Sequence, residues 1–112
     1  MKHILCLLFF LSLTTVDLAA ATHNIKEYGA IGDGKHIDSP AINAAIEAAV
    51  QNGGGTVYIP AGKYACYSIR LKSHLTIYLE AGAEIIAAFP TQTEGYDEAE
   101  ENPHNLYQDF GH

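Results

Sequence analysis

Among the groups in this chain that could act as acid, base or cation ligand are three isolated aspartates and one acidic run. The aspartates are Asp33, Asp38 and Asp109; the run holds Glu94, Asp97, Glu98, Glu100 and Glu101. A carboxylate cluster can bind calcium, but this one lacks the alternating oxygen ligands of an EF-hand loop and reads as a solvated acidic loop. Histidine titrates near neutral pH and can serve as acid, base or ligand. His104 and His112 have no second ligand at useful spacing and read as surface or interface residues. Cys66 has no positioned base and reads as a small apolar side chain, buried or half-buried. Gly29 to Gly34 spells G-x-x-G-x-G, not the dinucleotide pattern G-x-G-x-x-G, and no strand–helix unit surrounds it, so it reads as a turn. Tyr58, Tyr64, Tyr67 and Tyr78 could stack on sugar rings; placed in strands, they are expected to pack along a sheet surface.

The elements that would position these residues announce themselves by a change of period. Asp38 or Ser39 can cap a helix, and Pro40 suits its first turn. Ile42, Ala45, Ile46, Ala49 and Val50 then recur at helical spacing and define one apolar face, with Asn43, Glu47 and Gln51 largely opposite. Gly53 can take the left-handed conformation that ends the helix. Before the helix, Asn24 to Tyr28 reads as a short strand or extended lead-in. After it come Thr56–Ile59, stopped by Pro60, then Tyr67–Leu71, Leu75–Leu79 and Ala83–Ala88, closed by Pro90. Closely spaced strands could form an antiparallel meander. The connections lack Asn-Gly or Asp-Gly hairpin pairs, and each strand offers a similar apolar stripe, which favours coils stacked one on the next.

Lys2 and His3 precede an apolar run from Ile4 to Leu13, and Ala19-Ala20-Ala21 resembles a cleavage site. This is the layout of a secretory signal peptide spanning residues 1–21. The run is short of the ~20 apolar residues that span a bilayer, so no membrane partner is expected after its removal. Cys6 leaves with the signal, so an intramolecular disulfide is excluded and stability must come from packing. A net charge of −7 argues against nucleic acid as a partner. Residues 22–112 suffice for one small domain.

Tyr28-Gly-Ala-Ile-Gly-Asp-Gly-Lys-His-Ile-Asp-Ser-Pro-Ala-Ile-Asn-Ala-Ala-Ile46 and Gly53-Gly-Gly-Thr-Val-Tyr-Ile-Pro-Ala-Gly-Lys-Tyr64 resemble the N-terminal turns of the pectate-lyase-like superfamily. Ser68-Ile-Arg-Leu-Lys-Ser-His-Leu-Thr-Ile-Tyr-Leu-Glu-Ala-Gly-Ala-Glu-Ile-Ile86 is similar to family 28 glycoside hydrolases, the polygalacturonase family, and Tyr107-Gln-Asp-Phe-Gly-His112 resembles a segment of one branch. The resemblance implies an all-β solenoid, a right-handed parallel β-helix whose open N-terminal end is capped by an amphipathic helix. It also implies secretion and hydrolysis of galacturonosyl bonds in pectic polysaccharide by the full-length parent.

Such inverting enzymes use two carboxylates roughly 6.5–9.5 Å apart with a water between them. The family carries them in an Asn-Thr-Asp motif and an Asp-Asp pair, followed by Gly-His-Gly and Arg-Ile-Lys, and none of these occurs here. No catalytic, cofactor-binding or metal-ligating residue is therefore assigned, and no cofactor is expected. Residues 22–112 are expected to be the cap and first turns of an incomplete domain, inactive alone and prone to self-associate through an exposed β-helix end. A non-catalytic carbohydrate-binding or tailspike-like module is the competing expectation.

Overall fold

The computed structural model describes residues 21–101. The signal segment lies almost wholly outside the described residues, as do Asp109, His104, His112 and the Tyr107–His112 segment. Six short strands alternate between two sheets. Strands β1 (Thr22–Asn24), β3 (Gly55–Ile59) and β5 (Leu75–Leu79) form one; β2 (Asp33–Ile37), β4 (Gly62–Cys66) and β6 (Ala83–Ala87) form the other. Every pairing is parallel, which excludes the antiparallel meander. Gly55 pairs with Leu75 and Gly62 with Ala83, so the circuit after the helix advances 20 or 21 residues, against 34 from Thr22 to Thr56 for the circuit that contains it; each lays one strand on each sheet.

Helix α1 (Ser39–Gln51) covers the start of this stack. Ile42, Ala45, Ile46 and Ala49 have no exposed surface and pack with Ile25, Val57 and Ile59. Full burial of each isoleucine contributes about 1.5–3 kcal/mol. Val50, expected on this face, is exposed instead. At 3.6 residues per turn it falls at the edge of the buried face, turned away from the centre line that Ile42 and Ala49 occupy. Gly53 stops the helix as its type suggests, with φ 85°. The N–H of Gly54 donates to Ala49 O at 2.9 Å and that of Gly53 to Val50 O at 3.0 Å, a Schellman closure. Gly54 is also required sterically: a Cβ there would lie 2.5 Å from the carbonyl oxygen of His74 in the next circuit.

Two local expectations are corrected, and one strand was not expected. Asn24–Tyr28 is not one strand: after Asn24 the chain winds into a 3₁₀ turn (Ile25–Tyr28), because the Asn24 side chain accepts the Lys26 N–H and Gly29 ends the turn at φ 101°. Tyr67–Leu71 is not a strand. The paired segment is Gly62–Cys66, and the peptide groups beyond it are held by helix side chains instead of a ladder. Strand β2 had no apolar alternation to reveal it; it is held by β4, with an irregular register where Asp33 Oδ1 accepts the N–H groups of Lys35 and His36.

Asp38, expected as a helix cap, makes no side-chain cap bond. Its fully buried carboxylate accepts the N–H groups of Ile31 and Gly32, each at 2.9 Å, while its own N–H donates to Ala65 O at 2.8 Å. Loop 29–32, β4 and the helix start thus meet at one side chain. Asp38→Ala leaves two inward N–H groups unpaired, and urea denaturation of the purified chain should show a loss of about 2–4 kcal/mol. Asp38→Asn, which keeps one acceptor oxygen, should lose less. A loss under about 0.5 kcal/mol in Asp38→Ala, the level of ordinary surface substitutions, would contradict the role assigned to this carboxylate.

Candidate functional site

Residues four apart on a helix share a face, and Ser39, Asn43 and Glu47 form such a row on α1. The sequence offers Ser39 as a cap and places Asn43 and Glu47 opposite the apolar face. In the structure the row is a rail that holds residues 67–72 where they leave β4. Ser39 Oγ accepts the Tyr67 N–H at 3.1 Å. Asn43 Oδ1 accepts the Arg70 N–H at 2.8 Å, and its Nδ2 donates to Ser68 O at 3.0 Å. Glu47 pairs with Lys72 at 3.7 Å.

The segment so held carries outward groups that catch the loop after β6. The Arg70 guanidinium donates through Nε and Nη2 to the two Asp97 oxygens, both at 2.8 Å. The Asp97 N–H donates to Ser68 Oγ at 2.9 Å. Tyr96 meets Tyr67 edge to face, 5.4 Å between ring centres, and its hydroxyl donates to Ala88 O at 2.8 Å. Helix start, clamped segment and loop enclose an open groove of about 1010 Å³, lined among others by Tyr28, His36, Tyr67, Arg70, Glu94 and Asp97.

Electrostatics limit what this groove can do. The hydrogen bond from Arg70 holds the Asp97 carboxyl below its ordinary value of 3.8, and Asp97 in turn raises the Arg70 guanidinium. A carboxylate so paired is a poor proton donor near neutral pH. Besides hydroxyls, amide groups and the Arg70–Asp97 pair, the groove is lined by His36, Glu47 and Glu94. Among the described residues no group of three or more His, Cys, Asp or Glu side chains could hold a metal ion.

The residues singled out from the sequence do not converge. Asp38 is buried at the helix start and Asp33 is spent on its own turn. Of the tyrosines, Tyr58 and Tyr78 do lie on the sheet surface, stacked at 5.7 Å and nearly parallel. Glu80 stands beside them, accepting the Ala61 N–H and raising the Tyr58 phenol. Tyr64 departs from the expectation: it is fully buried, with its hydroxyl donating to Pro60 O at 2.7 Å, because its side chain points between the two sheets. Sequence reasoning missed the clamp altogether. Its one available signal was the i, i+4, i+8 spacing of Ser39, Asn43 and Glu47.

The model of the family described as rhamnogalacturonase A/epimerase, pectate lyase-like, matches residues 22–99. The chain belongs to this family. Among similar curated proteins, alginate lyase 7 of Azotobacter vinelandii is 40% identical over 81 residues, 68% of this pectate lyase-like chain and 10% of the relative. Mannuronan C5-epimerase AlgE3 of the same organism is 60% identical over 49 residues, 44% of the chain and 3% of the epimerase. The surface protein and adhesin PfbA of Streptococcus pneumoniae superposes with a TM-score of 0.59 at 41% identity, over 66% of this chain and 18% of PfbA. The pectate lyase-like chain thus spans a tenth or less of the length of the curated relatives it matches. No helix among the described residues is long and apolar enough to cross a membrane.

Two measurements check this site. Asp97 has a lowered folded-state pKa, so its contribution is present above the unfolded value and is lost as pH falls through the folded one. The Arg70–Asp97 link to the 93–97 loop should therefore be intact at neutral and mildly acidic pH and weaken only below pH 3.8, while the other contacts of Tyr96 and Asp97 persist, and Arg70→Leu should move the Asp97 titration, followed by carboxyl NMR, up toward the ordinary value. Burial pushes the Cys66 thiol up to about 11. At pH 8 its thiolate fraction, and so its alkylation rate in the folded chain, should be about a hundredfold below that of an ordinary thiol, with full reactivity in denaturant. Alkylation of the folded chain at the ordinary rate would contradict the burial of Cys66.

Proposed function

We propose that this chain forms the helix-capped leading turns of a secreted, right-handed parallel β-helix protein that acts on uronate-rich polysaccharide. The observation that carries the reading is the family match over residues 22–99, read together with a helix that closes one end of two parallel sheets. Hydrolysis of galacturonosyl bonds in pectic polysaccharide is the reaction favoured by the resemblance of Ser68–Ile86 to family 28. Relatives named as a mannuronan C5-epimerase and an alginate lyase support the wider substrate class. No reacting carboxylate is assigned within residues 21–101, where Asp33, Asp38 and Asp97 are all committed to backbone or to Arg70. The segment 1–21 acts as the export signal.

A second reading is favoured by the superposition on the adhesin PfbA. In that reading the module binds a glycan or surface partner through features such as the Tyr67–Arg70 groove and catalyses nothing.

Purified chain incubated with polygalacturonate, rhamnogalacturonan and mannuronan should release neither reducing ends nor unsaturated uronate. Genomic sequence continuing past the His112 codon should carry in frame an Asp-Asp pair on further short strands. A stop codon there, with no such frame following, would overturn the enzyme reading. Retention on a glycan array without turnover would favour the adhesive one.

A further inference from the structure

Helix α1 runs out onto a chemically reactive pair. Asn52-Gly53 is the one place in the sequence where asparagine precedes glycine. Asparagine is a labile residue, and most so before glycine, because no side chain then hinders the next backbone nitrogen from reaching the asparagine amide carbon. That nitrogen bonds to Cγ and gives up its proton, the Cγ–Nδ2 bond breaks, and ammonia leaves with the proton. Solvent water then opens the cyclic imide at one of its two carbonyls. One opening leaves aspartate. The other leaves isoaspartate, in which the side-chain methylene has become part of the main chain.

Packing leaves the pair open to this reaction. Asn52 is exposed, and a Cβ at Gly53 would meet nothing within 4 Å. The backbone is what stands in the way. Asn52 has ψ 13°, which nearly eclipses the Gly53 nitrogen with the nitrogen of Asn52 itself and so turns it from the side of Cα that bears Cβ. The Gly53 N–H is also engaged, donating to Val50 O at 3.0 Å, while the Asn52 N–H donates to the Ala48 and Ala49 carbonyls. Ring closure requires rotation about this ψ. The same rotation carries off Gly53 and Gly54, whose bonds to Val50 O and Ala49 O close the helix.

We propose that Asn52-Gly53 is a gated deamidation site: the closed end of α1 holds the pair unreactive, opening of that end lets it react, and the product cannot restore the closure. The aspartate product adds a negative charge beside the last carbonyls of the helix, where the macrodipole disfavours it. The isoaspartate product lengthens the main chain between residues 52 and 53, so the Gly53 and Gly54 N–H groups no longer meet Val50 O and Ala49 O together. Gly54 has little room to follow, since a Cβ there would lie 2.5 Å from His74 O. Each reacted chain thus records one opening of the helix end that covers the stack. The inference is independent of what the parent protein acts on.

The purified chain is held at mildly alkaline pH, then digested and mapped by mass spectrometry with aspartyl and isoaspartyl peptides separated. Conversion at Asn52 should be at least about tenfold slower in the folded chain than in guanidinium chloride, the ratio reflecting the free energy of local opening. Asn52→Gln, whose side chain would have to close a larger ring, should lose the conversion at this position and keep the circular dichroism of the parent. The isolated isoaspartyl form should denature at lower guanidinium chloride than the unreacted chain, with Asn52→Asp between the two. Equal rates in the folded and unfolded chain, no conversion at Asn52 in guanidinium chloride, or an isoaspartyl form as stable as the parent would each overturn the proposal.

Discussion

The carboxylate of Asp38 stands where three parts of the chain must agree. It is buried, yet each oxygen accepts a backbone N–H, from Ile31 and from Gly32. Removing a charge from water costs several kcal/mol unless its oxygens are fully hydrogen-bonded. The arrangement therefore tolerates little displacement of loop 29–32 against the start of α1. With the Asp38 N–H bonded to Ala65, β4 joins the same junction. The tilt of the helix over the first layer follows, and with it the apolar contact of Ile42 and Ile46 on Val57 and Ile25.

From that junction the helix uses both of its faces. The apolar face covers one end of the stacked sheets, while the polar row Ser39, Asn43 and Glu47 holds the chain where it leaves β4. Backbone groups at residues 67 and 70 thus lose their ladder without being orphaned. A surface groove arises as a consequence, floored by a segment that hydrogen bonds keep in place and walled by a loop that an exposed ion pair attaches. Exposed pairs contribute little to stability. The wall is accordingly held more by the Asp97 N–H on Ser68 and the Tyr96 hydroxyl on Ala88 than by the charge pair.

Much of this was legible in the chain. Pro40, the 3.6-residue recurrence from Ile42 to Ala49 and Gly53 specify α1 to within two residues of its observed bounds, and β3, β5 and β6 follow from β-rich runs bounded by Pro60, Gly82 and Pro90. Strand β4 was misplaced by several residues because Tyr67–Leu71 alternates like a strand, yet side chains far away in sequence satisfy its backbone. Strand β2 escaped notice because Asp-Gly-Lys-His-Ile carries no apolar period, its pairing being supplied by a neighbour 30 residues on, Lys63 opposite Asp33. The groove was invisible for the same reason: Asn43 and Arg70 are ordinary surface residues until the coil brings them together.

By itself the sequence determined the helix, the strands β3, β5 and β6, the glycines and prolines that bound them and the pectate lyase-like class to which residues 22–99 belong, since these rest on spacings of a few residues and on glycine or proline conformation. Tertiary structure alone decided which polar groups are spent on the fold. Asp38 and Asn43 differ little from exposed residues in local pattern. Their roles depend on backbone donors and acceptors 6 to 27 residues away, and such pairings exist only once the sheets have stacked beneath the helix.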